Sequence, residues 1–149
     1  MVSSCVNTFK TTSSTTKDIM KADEDKLQAA VVAYLKLNYN ALYCASLGGQ
    51  YQKYNSQKLK AKRTGYVAGF PDLFIYEPRG GYNGLAIELK ALGSSPFKKN
   101  GDYKKDYGIG GKRHNQTEWI ENLRLRGYKA EFCTGFDQAK EKIDNYFSM

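Results

Sequence analysis

Residues 70–90 read FPDLFIYEPRGGYNGLAIELK, and the fold turns on them. Residues 70–76 alternate apolar and other side chains in the manner of a strand, and residues 85–90 do so again. Between them Pro78-Arg79-Gly80-Gly81-Tyr82-Asn83-Gly84 is dense in turn formers. The two strands are expected to form an antiparallel hairpin. Alternate side chains of a strand share a face, so Glu88 and Lys90 project together while Leu85, Ile87 and Leu89 project the other way. Asp72 shares its face with Phe74 and Tyr76. A turn centred near Gly81 would set Asp72 across from Lys90 and diagonal to Glu88, roughly 7 to 8 Å away across the strands.

Two carboxylates so placed have a definite chemistry. A hard cation such as magnesium takes oxygen ligands, is commonly held by one or two carboxylates plus waters, and leaves its other positions to a phosphate. Asp72 and Glu88 meet that minimum, and the carbonyl of Leu89 adds a third oxygen. Lys90 would orient or activate a water and offset charge that develops at phosphorus. Phosphodiester hydrolysis is what these parts do together.

Working outward, a helix is expected from Asp23, with Leu27, Val31, Tyr34 and Leu35 on one face, stopping near Asn38-Tyr39-Asn40. Residues 41–45 read as a short strand. Residues 48–66 are polar and lysine-rich without a core-facing pattern, and are taken as a long basic loop; residues 93–112 form a second long loop. Asn115 is expected to cap a helix with Glu118 three residues on, Trp119, Ile120 and Leu123 facing inward and Gly127 ending it. Residues 128–133 return as a strand, and Phe136, Ala139, Ile143 and Phe147 mark a last amphipathic helix. The fold class is therefore α/β, a mixed central sheet flanked by helices. Residues 1–18, rich in Ser and Thr, are expected to be a flexible tail, and residues 19–149 a single domain.

The charge balance points to a polyanionic partner. The chain carries a formal charge of +8 in 149 residues, and no acidic residue falls between Asp25 and Asp72. Lys53, Lys58, Lys60, Lys62 and Arg63 lie in that interval, and Lys98, Lys99, Lys104, Lys105, Lys112 and Arg113 in the second loop. All eleven are candidates for nucleic-acid contact, with Tyr51, Tyr54, Tyr66, Tyr103 and Tyr107 interleaved as stacking faces. Cys5, Cys44 and Cys133 have no CxxC spacing and only His114 to assist them, which argues against structural zinc and against a disulfide framework. No stretch is apolar enough for a membrane span or a secretory leader, so an intracellular, reducing compartment without membrane attachment is expected, and nothing calls for a small-molecule cofactor.

Three further residues are candidates. Glu24 and Gln28, one helical turn apart, could reach over the sheet edge toward the cation, although a first-turn acid favourable to the helix dipole reads equally well for Glu24. Gln116 begins the helix after the hairpin and could hold a water or a phosphate; a plain helix-start polar residue is the alternative. His114 reads as a neutral surface or phosphate-contacting residue.

These motifs together resemble the VRR-NUC family, a branch of the PD-(D/E)XK nuclease superfamily with a restriction-endonuclease-like αβββαβ core. The matching residues are Glu24, Leu27 and Gln28; Gly69 to Leu73; Ile87 to Lys90; and Gln116 to Trp119 with Leu123 and Gly127-Tyr128. The resemblance implies dependence on magnesium or manganese, Asp72 and Glu88 as metal ligands, Lys90 as catalytic lysine, and Glu24 and Gln116 in support. It implies a nucleic-acid substrate. Stand-alone members of this size, typical of phages and large viruses, are homodimeric, structure-selective enzymes related in shape to Holliday junction resolvases. A structure-selective DNA endonuclease is thus the leading expectation, with a restriction-type sequence-specific nuclease and a non-catalytic basic nucleic-acid binding module as alternatives.

Overall fold

A computed structural model describes residues 16–47 and 54–149, with the side chains of 16–22 left out; the residues 1–15 assigned to the tail, and Lys53 and Tyr51, lie outside the described residues. The elements run α1 (Thr16–Asn38), β1 (Tyr43–Ala45), α2 (Asn55–Arg63), β2 (Leu73–Ile75), β3 (Leu85–Lys90), a 3-10 turn (Lys105–Tyr107), α3 (His114–Leu125), β4 (Lys129–Thr134) and α4 (Gly135–Phe147). The sheet order is β1-β2-β3-β4, antiparallel except for the parallel β3–β4 pair. This is the expected mixed sheet between helices. Parallel neighbours need a crossover, and α3 provides it.

Each face of the sheet has its own core. Leu73, Ile75, Leu85, Ile87 and Leu89 pack with Val31 and Leu35 of α1 and Ala139, Ile143 and Tyr146 of α4. On the other face Phe74, Ala86, Ala130 and Phe132 pack with Ile120 and Leu123 of α3 and with Tyr107. Because both faces are covered, β2 and β3 are buried along their whole length and no solvent-facing row exists on them. Glu88 and Lys90 therefore lie in a covered layer.

Four expectations need correction. The helix expected from Asp23 begins at Thr16, inside the stretch read as a tail. Residues 55–63, taken as loop, form α2: its Gln, Lys, Leu, Ala and Arg are good helix formers, and Gln57 Oε1 accepts the Tyr54 N–H at 3.2 Å, but it buries no residue and so shows no apolar stripe. Asn115 does not cap α3, which starts at His114; its Oδ1 instead accepts from the adjacent Gln116 N–H at 3.1 Å. The end of that helix is as read, since Gly127, at φ +80°, lets its own N–H reach Arg124 O and that of Tyr128 reach Leu123 O, both at 3.1 Å.

The fourth correction is the hairpin register, and it matters most. Leu73 pairs with Ile87 and Ile75 with Leu85, so continuing the register places Asp72 opposite Glu88, not Lys90. The tip is a two-residue turn, with Gly80 and Gly81 at φ +57° and +83° and Arg79 and Tyr82 exchanging both backbone bonds at 3.1 and 2.8 Å. Residues 76–78 lead in but only 83–84 lead out, so the incoming side carries one extra residue. Pro78 cannot donate to a ladder, and the extra residue is absorbed there.

Where α1 meets α4, the Asp144 carboxylate accepts from Tyr34 and Tyr39 hydroxyls at 2.5 and 2.7 Å and from Lys140 Nζ at 2.7 Å. The Lys140 bond, then those of the tyrosines, holds the carboxyl down at about 2. A depressed acid contributes stability that is complete above its unfolded pKa near 4 and lost as pH falls toward the folded value. Asp144→Asn is accordingly expected to lower the urea midpoint at pH 6 and to differ less and less from the parent between pH 4 and 2. An equal gap at both ends of that range would mean the carboxylate charge contributes nothing.

Candidate active site

The sequence Gly69-Phe70-Pro71-Asp72 enters β2 beside α3. Phe70 stacks on Phe74 and meets Trp119 edge-on, at 6.0 and 5.2 Å between ring centres, while Trp119 Nε1 donates to Ala68 O at 3.2 Å. Gly69, at φ +90°, lies so close to α3 that an added Cβ would stand 2.7 Å from the Asn115 carbonyl carbon. The aromatic anchor and this close approach fix where Asp72 emerges. Its own backbone is held from the opposite side: Ser46 N–H donates to Asp72 O at 2.7 Å, and Gln28 Nε2 bridges Ser46 O at 2.8 Å and Asp72 O at 3.4 Å.

Asp72 Oδ2 accepts the Leu89 N–H at 2.7 Å. Continuing the register sets Leu89 opposite residue 71, where a proline has no N–H to offer the Leu89 carbonyl. That carbonyl therefore has no backbone donor opposite it, while the Leu89 N–H on the same edge of the strand goes to the Asp72 side chain. Three oxygen-bearing groups thus meet at one strand end: the carboxylates of Asp72 and Glu88 and the Leu89 carbonyl.

Glu88 and Lys90, only 2% and 4% exposed, are paired at 2.8 Å between Oε1 and Nζ. Burial, then the charge of Asp72, pushes the Glu88 carboxyl up to about 8; burial pushes Asp72 up to about 6 against the pull of Lys90 and the Leu89 N–H. Burial works to lower Lys90, but Glu88 and then Asp72 more than offset it and hold the ammonium above its ordinary value. A pair of buried carboxylates this uncomfortable suits a divalent cation of the magnesium type, which takes hard oxygen ligands. Among the described residues no group of three or more His, Cys, Asp or Glu side chains forms, so the protein side of such a site is two carboxylates and backbone oxygen.

The other candidates fall as follows. Half-buried Glu24 lies within electrostatic reach of Asp72, Glu88 and Lys90. Gln28, grouped with it, does not turn to the carboxylates; it ties backbone carbonyls. Gln116 sits on α3, which covers the Glu88 and Lys90 face, and its Oε1 is buried without a hydrogen-bond partner among the described residues. His114 Nδ1 shares that condition. Lys58, Lys60, Lys62 and Arg63 are exposed on α2, and Lys98, Lys99, Lys104, Lys105, Lys112 and Arg113 are exposed in the second loop. Lys104, Lys105 and Arg113 line a groove of about 270 Å³ with Ser94, Ser95, Asp106 and Tyr107. Reading the sequence missed the two serines, which no charge or periodicity marks. It also took Tyr103 and Tyr107 for stacking faces, whereas Tyr103 is spent on Phe97, at 5.0 Å between ring centres, and Tyr107 is only 3% exposed.

A family model described as "VRR-NUC domain" matches residues 9–137. The chain belongs to the VRR-NUC family. A solved structure titled "VRR_NUC domain protein" is similar to it at 30% identity with a TM-score of 0.62, over 85% of this chain and 88% of that one. A comparison with curated proteins finds no match. Membership of the VRR-NUC family makes this a nuclease domain of the PD-(D/E)XK type. No helix among the described residues of the VRR-NUC domain is long and apolar enough to cross a membrane.

Proposed function

We propose that this domain is a magnesium- or manganese-dependent endonuclease that hydrolyses DNA phosphodiester bonds and selects branched DNA, such as four-way Holliday junctions, as a homodimer. The observation that carries the chemistry is the buried cluster of Asp72, Glu88 and Lys90 at the interrupted end of the β2–β3 ladder, with basic side chains on the loop beside it. A bound divalent cation would polarise the scissile phosphate and make a coordinated water more acidic. Asp72 and Glu88 would hold it, with the Leu89 carbonyl. Asp72 is pre-set for this, since the Leu89 N–H fixes its other oxygen. Lys90, aligned by Glu88, presents N–H donors to the attacking water and to the oxygens that gain charge. Gln116, with its unpartnered buried oxygen, is assigned to hold a water or phosphate next to this group, and Glu24 to support it electrostatically.

Incubation with linear duplex, single-stranded, flap and four-way junction DNA, with magnesium or with EDTA, tests the proposal. Magnesium-dependent cutting of branched DNA alone is expected. Cutting of linear duplex at one sequence would favour a restriction-type enzyme, and binding without cutting would remove the enzymatic reading.

A further inference from the structure

Ile109 is the most exposed large hydrophobic side chain among the described residues, at 96%. Its surroundings make that exposure specific. Gly111 N–H donates to Gly108 O at 2.8 Å, closing a four-residue turn in which Ile109 takes the first corner and Gly110, at φ +76°, the second. Proline or a polar residue is the ordinary choice at such a corner; a bare isoleucine is not.

The turn is mounted rigidly. Arg113 N–H donates to Asp106 O at 2.7 Å across its base, and Thr117 Oγ1 of α3 donates to Tyr107 O at 2.9 Å. Gly111 packs so closely on the 3-10 turn that a Cβ would lie 2.4 Å from the Lys105 and Asp106 carbonyl oxygens. Buried Tyr107 lies within electrostatic reach of Lys90 and Glu88 as well as of Arg113, so the mount abuts the active centre. Lys104 and Lys105 precede the tip, Lys112 and Arg113 follow it, and the groove with Ser94 and Ser95 opens at its foot. Asp106, 3.8 Å from Arg113, offsets only part of that charge.

Resting on the nuclease reading above, we infer that Ile109 is an apolar wedge that enters between adjacent base pairs of DNA whose phosphates lie against Lys104, Lys105, Lys112 and Arg113. Phosphate-binding cations hold the duplex, and an apolar side chain inserted between base steps unstacks and kinks it. A β-branched side chain is stiff about its first torsion and loses little freedom on insertion. Unstacking costs least where stacking is already broken. The wedge thus favours branch points over continuous duplex and supplies structure selectivity without base recognition.

The test uses the Asp72→Asn chain, to prevent cutting, with 2-aminopurine at the branch of a four-way junction or at the centre of a continuous duplex. Binding is expected to raise the junction probe's fluorescence several-fold. Adding Ile109→Ser should remove that rise and weaken junction binding about tenfold, the effect of leaving one large apolar side chain unburied, with duplex binding unchanged. Ile109→Leu should restore both. If Ile109→Ser kept the fluorescence rise and the preference for the junction, the wedge would be overturned. It would equally be overturned if Ile109→Ser changed only the sedimentation of the free protein, which would assign Ile109 to contact between copies. If neither the parental nor the Asp72→Asn chain bound either DNA, the nuclease reading would go along with the wedge, whereas binding of both DNAs without a fluorescence rise removes the wedge alone.

Discussion

Asp72→Asn is expected to lower the cleavage rate at least about a thousandfold while the metal-free protein melts higher, not lower. Activity falls because an amide is a poor ligand for a hard cation and Asp72 is one of two carboxylates at the site. The stability sign follows from burial, which pushes Asp72 up to about 6. An acid whose folded pKa is raised costs stability once pH exceeds its unfolded value near 4, and the full cost is present above about 6. Asn removes the charge and still offers an oxygen to the Leu89 N–H. A gain of about 1 kcal/mol, roughly 3 °C in a chain of this size, should appear in a thermal melt at pH 7.5 with EDTA. Lys90→Ala should also abolish cleavage, but with a lower melting temperature, because it leaves Glu88 buried without its 2.8 Å partner. Parental cleavage by either variant would remove the residue from the site. A fall in the Asp72→Asn melting temperature would show that the carboxylate is not held under electrostatic strain.

Gly69→Ala should also damage activity, without touching any of the charged groups. Its φ of +90° is costly for any residue with a Cβ, and the added carbon would meet Asn115 backbone at 2.7 and 2.8 Å, where nothing can swing aside. Either α3 or the Phe70-Pro71-Asp72 entry must shift. A loss of about 2 kcal/mol in urea denaturation and of roughly a hundredfold in rate is expected, since displacements near 1 Å at a reacting centre carry that penalty. A variant with parental activity would mean that the approach of Gly69 to α3 does not position Asp72.

The sheet was legible because its strands are short, apolar and bounded by glycine and proline, and Leu85–Lys90 was read to the residue. That Glu88 and Lys90 share a face followed from alternation alone. The placement of Asp72 did not, because the extra residue at 76–78 is decided by how Pro78 and the Gly80–Gly81 tip share a turn, and no periodicity records that. Helix α2 was invisible for a different reason: a helix that buries nothing leaves no stripe. Tyr146 was overlooked in the last helix, where apolar periodicity picks out Ala139 and Ile143; its burial rests on a hydroxyl satisfied by Glu77 O at 2.6 Å, a partner 69 positions away. The nuclease family was legible because four motifs keep their order and spacing around the hairpin.

The gap that Pro71 leaves in the ladder shifts where this site is vulnerable to sequence drift. The oxygen that Leu89 offers belongs to the main chain, so position 89 is free to vary among apolar residues without forfeiting it. Position 71 is not. Any residue there with an N–H could reseal the ladder and donate to that carbonyl, with every acid and the lysine still in place. The proline of the motif contributes by subtraction: what it supplies is the absence of one proton.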